Sequence, residues 1–425
     1  MSARDPDRRR PALFIHNGRV ITPLRTLRDG AVLIEDGRIR AVGATGEIRP
    51  LPGAQAIDAR GNYVAPGFIE GHVHGGGGGD VMAGTVEDVV TCAVAHARGG
   101  VTRLLPTTLT APIEAIRRAL ESIEKARKLD YPGAKIAGAH LEGPYINPGR
   151  AGAQNPRFAK NPDLDELTAI LDRFPFVRRV SLAPELPGAL EVAQELRRRG
   201  IIASIAHTEA TFDEVVRAVE CGFTHATHVF NAMSTVHRAG TRKAAGAAEA
   251  ALALDELTTE VICDGHHVPA GMLRLLIQAK GAHRVALTTD AISAAGCGPG
   301  RYSLMGLDVV VTEERPGELS GAFVDPPPPC RYVARLIGKD ILAGSVATMN
   351  LALRTAVELA GVTVEEAVKM ATLVPARIHG LDRQCGILSP GMLGDVVIFD
   401  PEFRILATVV EGRLVYSADP LGGAI

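Results

Sequence analysis

Cysteine is scarce and scattered. The six cysteines (Cys92, Cys221, Cys263, Cys297, Cys330, Cys385) form no Cys-x-x-Cys pair and no framework-like spacing. That argues against a thiolate zinc cluster or a disulfide scaffold, and leaves free thiols in a reducing compartment, the cytoplasm, as the expectation. Charge of one sign is also missing. A formal net charge of -2 offers no basic surface for nucleic acid or anionic lipid, so a charged partner must be bound locally. Long apolar runs are absent as well. The opening "MSARDPDRRRPALF" lacks the apolar centre of a signal peptide and no later run is long enough to span a bilayer, so neither secretion nor membrane insertion is expected. Finally, the five glycines Gly75–Gly79 are followed by no Lys-Ser/Thr pair, so they are not a P-loop. What remains is a 425-residue chain, 46% hydrophobic, able to bury a large core.

Both ends read as short strands and turns. "ALFIHNGRVI", "GAVLIEDGRIRAVG" and "AQAIDARGNYVAPG" fill the first 64 residues, with Asn-Gly and Asp-Gly pairs of the hairpin type, and "GDVVIFDPEFRILATVVEGRLVY" repeats the texture near the end. Residues 1–64 and 382–425 are therefore expected to form one small β domain, a sandwich, bracketing residues 65–381. In that middle stretch eight apolar runs recur, around 68–74, 101–107, 135–142, 180–184, 201–207, 223–229, 259–264 and 284–290, each followed by a segment with helical spacing. Eight strand-helix units predict an α/β fold of the (β/α)8 TIM-barrel type; a doubly wound sheet is the competitor. Residues 292–340, including "GCGPGRYSLMG" and "VDPPPPC", are less regular and too long for a connector, which suggests a lid or an oligomer contact.

In a TIM barrel, catalytic residues come from the C-terminal ends of the strands. Those ends carry His72 and His74, Glu142, His207, His228 and Asp290. Singly, each has an ordinary structural reading as a cap, an ion pair or a hydrogen-bonded histidine; His16, His96, His140 and His225 are read that way. Jointly, four imidazoles and two carboxylates on one rim read as a metal site. His72 and His74 stand at i and i+2, which project to the same face of a strand and can hold one ion together. The glycines after them let the backbone turn sharply past the site. Without thiolate, such a set suits one or two divalent ions, Zn²⁺ first, with Fe²⁺, Mn²⁺ or Co²⁺ possible. Hydrolysis is the expected chemistry, with Asp290 as the proton-transferring carboxylate.

The segments "APGFIEGHVHGGGG", "HLEGPY", "LAPE", "ATHVFNAMS", "CDGHHV", "TTDAISAAG", "LAGSVATMNLA" and "ATLVPARIHGL" together resemble the amidohydrolase superfamily, and within it the N-acetylglucosamine-6-phosphate deacetylases. The resemblance implies that Glu142, His207 and His228 are shared metal ligands, that His72 and His74 are the extra pair of two-metal members, with Glu142 bridging, and that Asp290 is the general acid/base. It also implies substrate contacts from Asn231, Ala232, His267 and the stretch from Leu342. The bridging carboxylated lysine of the cyclic-amide hydrolases has no counterpart. Two segments depart from the pattern. "GRAGAQNP" puts Gln154 where relatives have a substrate-touching histidine, and "HRAGTRKAAG" alters a phosphate-contacting loop, leaving His237 and Arg238, with Arg242 and Lys243, as candidate phosphate contacts. The implied activity is a deacetylase acting on a small amino-sugar phosphate, N-acetylglucosamine 6-phosphate first, with N-acetylgalactosamine 6-phosphate or another N-acyl compound as the alternative and a non-catalytic sugar-phosphate-binding barrel behind it. A homodimer is the implied assembly, with no nucleic-acid or membrane partner.

Overall fold

A computed structural model describes residues 11–314 and 328–418. The charged N-terminal decapeptide, the last seven residues and the start of the proline-rich run therefore lie outside the described residues. Eight parallel strands recur through the middle of the chain: β1 (Phe68–Val73), β2 (Val101–Pro106), β3 (Ala139–Glu142), β4 (Val177–Leu182), β5 (Ile202–Ile205), β6 (Phe223–Ala226), β7 (Thr258–Ile262) and β8 (Val285–Thr288). They are almost wholly buried, as strands covered by helices must be, with a few charged side chains enclosed among the apolar ones. The eight sequence runs fall on them. The third is split, because Ala137 and Gly138 separate Ala139–Glu142 from a two-residue strand, Lys135–Ile136, paired to β2.

Strands β3 to β8 form one curled parallel sheet in sequence order, and β1 pairs with β2 in another. Isolated parallel bridges lie between the two: Thr107 with His140, and Val73 with Ala291. The second junction is reinforced by a side chain. Glu70 of β1 accepts from Thr288 Oγ1 (2.6 Å), Thr289 N (3.0 Å) and Thr289 Oγ1 (2.7 Å), tying β1 to the end of β8.

A helix separates each pair of consecutive strands, and its ends are written in the sequence. In Phe212–Cys221, Thr211 and Glu214 form a reciprocal capping box and the helix stops at Gly222. Val86–Arg98 is capped by Thr85 and stops at Gly99. The segment "TVEEAVKMATLVPARIHGL" is two helices, Val364–Ala371 and Leu373–Ile378, and not one. Pro375 accounts for the break, because it has no N–H to give to the preceding turn.

The two chain ends meet in one eight-stranded sheet. Tyr63–Pro66 pairs antiparallel with Val396–Phe399, joining the N-terminal strands to Ile405–Val410 and Arg413–Ser417. Ile15, Val32 and Ile34 pack with Val396, Ile398 and Val409 in a core separate from the main one. After β8, the stretch expected to be irregular contains a three-stranded antiparallel sheet, Gly300–Leu304, Leu307–Glu313 and Tyr332–Leu336. Among the described residues no helix is long and apolar enough to cross a membrane.

Candidate metal centre and substrate pocket

His72 lies in β1 and His74 directly follows it; both project to the same side, with their Nε2 atoms 3.2 Å apart. Glu142, the last residue of β3, reaches the same point: Oε1 is 3.4 Å from His72 Nε2 and Oε2 is 3.3 Å from His74 Nε2. From the other side, His207 and His228, beyond β5 and β6, bring their Nε2 atoms to 3.4 Å and 3.1 Å of Glu142 Oε1. Two groups of potential ligands result, His72/His74/Glu142 and Glu142/His207/His228, sharing one carboxylate. Asp290, just past β8, places Oδ1 3.0 Å from His74 Nε2.

Holding these side chains inward strains the backbone. His207, His228 and Asp290 adopt φ of 45°, 30° and 50°, and Phe230 and Ala232 are also left-handed. Such non-glycine conformations cost about 1–3 kcal/mol each and persist where the surroundings enforce them. The glycines after His74 have the use their spacing suggested. Gly75 passes so close to Ser293 and Gly79 that a Cβ there would stand 2.4 Å from the Gly79 carbonyl oxygen, and Gly77 turns at φ 62°.

The donor set fits a divalent cation. Nδ1 of His72 lies 2.7 Å from Glu260 Oε1, that of His74 is 3.2 Å from Thr107 O, and that of His207 is 2.8 Å from Arg150 O. Each Nδ1 therefore donates, and a neutral ring presents the Nε2 lone pair toward Glu142. The field agrees. Burial pushes His74 down, but Asp290 and Glu142 more than offset it and raise it to about 9. Burial likewise pushes Glu142 up, while His72, His207 and His228 hold it well below the usual carboxylate range. Positive charge is favoured at this point.

The centre forms the floor of a cavity of about 290 Å³. Gln154, Asn231, Ala232, His267 and Leu342, all expected near substrate, line it. His267 is held from behind, its Nδ1 2.7 Å from Asp264 Oδ2. Gln154 is pinned: its Oε1 accepts from Thr110 N (2.7 Å), so its amide nitrogen faces Glu142 Oε2 at 2.7 Å. His237 and Arg238 do not line the cavity. They lie on an exposed hairpin, His237–Ala239 paired with Arg242–Ala244. Leu304 and Ile341, from the stretch after β8, also border the cavity. Sequence reading missed Asp264, Glu70, Arg179 and Glu260; the last three were detectable as charged residues inside apolar strands, an expensive placement unless partnered.

The chain belongs to the amidohydrolase family, whose family model matches residues 63–415. Its place there is with the amino-sugar-6-phosphate deacetylases. It is 34% identical over 400 residues to an N-acetylgalactosamine-6-phosphate deacetylase of Escherichia coli (93% of this chain, 97% of the relative). It is 33% identical over 416 residues to the human N-acetylglucosamine-6-phosphate deacetylase (94% and 95%). Among solved structures, a mutant N-acetyl-D-glucosamine-6-phosphate deacetylase from Mycobacterium smegmatis, in complex with N-acetyl-D-glucosamine-6-phosphate, superposes with a TM-score of 0.83 at 33% identity, covering 96% of this chain and all of that one.

Proposed function

We propose that this chain is a metal-dependent deacetylase that hydrolyses the acetamide of an amino-sugar 6-phosphate, N-acetylglucosamine 6-phosphate first, giving glucosamine 6-phosphate and acetate. The observation that carries the reading is the pair of His/Glu groups sharing Glu142, with Asp290 beside them, at the floor of one cavity. His72, His74 and Glu142 would hold one ion and Glu142, His207 and His228 a second, Zn²⁺ before Fe²⁺, Mn²⁺ or Co²⁺. Bound there, the metal supplies Lewis acidity toward the acetamide carbonyl and lowers the pKa of water to about 7. Asp290 takes the proton of the attacking water and returns it to the departing nitrogen as the C–N bond breaks. Asn231, His267 and the Leu342 stretch orient the sugar, and Gln154 takes the place of the histidine that relatives use.

The phosphate needs a cation. Among the described residues no lysine or arginine lines the cavity, whereas His237, Arg238, Arg242 and Lys243 stand exposed on the hairpin. This supports a homodimer in which the hairpin of one protomer serves the cavity of the other. The bridges Thr107–His140 and Val73–Ala291 support a closed eight-stranded barrel spanning residues 65–381. The shared core of the terminal strands supports a small sandwich domain made of residues 1–64 and 382–425.

N-acetylgalactosamine 6-phosphate is the second reading, favoured by the 34% identical relative and by the altered Gln154 segment. Amine release by the Zn²⁺-loaded protein from both sugar phosphates and from unphosphorylated N-acetylglucosamine tests it. Fast turnover of the first alone supports the proposal. No release from any of the three by protein that has taken up metal would sink it.

A further inference from the structure

Beneath the metal centre, inside the ring of strands, lies a charge pair the chemistry does not use. Arg179 of β4 and Glu260 of β7 are almost completely withdrawn from solvent. They are joined twice, Nη1 to Oε2 at 2.5 Å and Nη2 to Oε1 at 2.7 Å. Around them stand three imidazoles, of which His225 places Nε2 3.6 Å from Glu260 Oε2. His140 Nδ1 is 3.1 Å from Arg179 Nη2, and its Nε2 is 2.7 Å from Ser181 Oγ. His72 Nδ1 is 2.7 Å from Glu260 Oε1.

The protons in this cluster can be assigned by elimination. A guanidinium only donates and a carboxylate only accepts. His140 Nδ1 must therefore accept from Arg179, so its own proton sits on Nε2 and goes to Ser181. His72 Nδ1 must donate to Glu260, so in the neutral ring Nε2 is bare and faces Glu142 and His74. Arg179 also lies 3.2 Å from His72 Nδ1. Two donors cannot bond each other, and the guanidinium's contribution is to hold Glu260 in place and balance its charge.

We propose that the Arg179–Glu260 pair is a positioning device for His72. It fixes the tautomer and orientation of one ligand, so that the His72/His74 position depends on the Glu260 acceptor beneath it, which Arg179 holds in place, while the His207/His228 position does not. The inference rests on His72 being a ligand, as proposed above. The asymmetry has a structural basis: His207 is oriented by the Arg150 carbonyl, and His228 Nδ1 has no hydrogen-bond partner among the described residues.

The test is Zn²⁺ binding by the full chain, measured by equilibrium dialysis with elemental analysis. Wild type should take up two equivalents; fewer than two would sink the two-site reading, and this inference with it. Glu260→Leu removes the acceptor. It should keep one equivalent at wild-type affinity and bind the other about 10- to 100-fold more weakly. Retention of both at unchanged affinity, or loss of both, overturns the inference. Because Glu260→Leu strands a buried guanidinium and risks not folding, the double variant Arg179→Met/Glu260→Gln is measured beside it. That variant is uncharged yet keeps an amide oxygen for His72 Nδ1. Two equivalents bound within a few-fold of wild type would show that the acceptor, and not the mere filling of the core, sets the ligand. One equivalent would refute it.

Discussion

Asp290 has two possible roles, ligand and proton carrier, and its neighbours do not separate them by distance alone: Oδ1 is 3.0 Å from His74 Nε2 and 3.4 Å from His72 Nε2. Asp290→Asn separates them by chemistry. An amide retains an oxygen but cannot take up the proton, so the variant should keep its zinc and lose about 10²–10⁴-fold in kcat. Metal analysis beside steady-state kinetics checks this, and parallel loss of metal would make Asp290 mainly a ligand. Asp264 gives a prediction about pH. Burial pushes its carboxyl up, but His267 and the backbone N–H groups around it hold it down to about 2, against 3.8 for an ordinary aspartate. A folded-state pKa below the unfolded one stabilises above the unfolded value and is lost as pH falls through the folded one. The advantage of wild type over Asp264→Asn should therefore shrink by about 2 kcal/mol between about pH 5 and about pH 2. Urea unfolding across that range measures it, and a constant difference would mean that the carboxylate's charge is not what His267 holds.

Among the elements, the hairpin His237–Ala244 carries the cations proposed to meet the phosphate. Its strands are exposed, and none of His237, Arg238, Arg242 and Lys243 lines the cavity. Arg238→Ala should raise KM for the phosphorylated sugar about tenfold with little change in kcat, and leave any turnover of unphosphorylated N-acetylglucosamine unaffected; an equal effect on both would remove Arg238 from phosphate recognition. The elements differ in how far they could be read in advance. All eight parallel strands were legible, because continuous apolar runs and glycine-terminated helices are local signals. That His72, His74, Glu142, His207, His228 and Asp290 would meet was legible because strand ends share a rim. The three-stranded sheet after β8 was not, since its glycines and prolines hide short strands whose pairing is set by tertiary contact. Nor was the position of the hairpin, because exposure depends on the whole surface. Gln154 was placed near substrate, yet its fixing by Thr110 depends on a contact 44 residues away that no spacing reveals.

For the whole molecule, the terminal sheet and the parallel strands are joined by ion pairs as well as by apolar packing. Arg103 of β2 reaches Asp395 at 2.7 Å and Glu411 at 2.9 Å, fastening the C-terminal strands to β2. Those last strands also complete a sheet begun at the start of the chain. Tyr63–Pro66 leaves the ribosome long before its partner Val396–Phe399 exists. At about 5–20 residues per second, the wait lasts roughly 20 to 60 s. Throughout that interval the N-terminal strands present an unpaired edge, the feature by which sheets recruit the wrong neighbour. Translation order thus makes the small sheet the last part to be sealed. Chains that stop short of residue 396 never close that edge and keep a template for mispairing exposed.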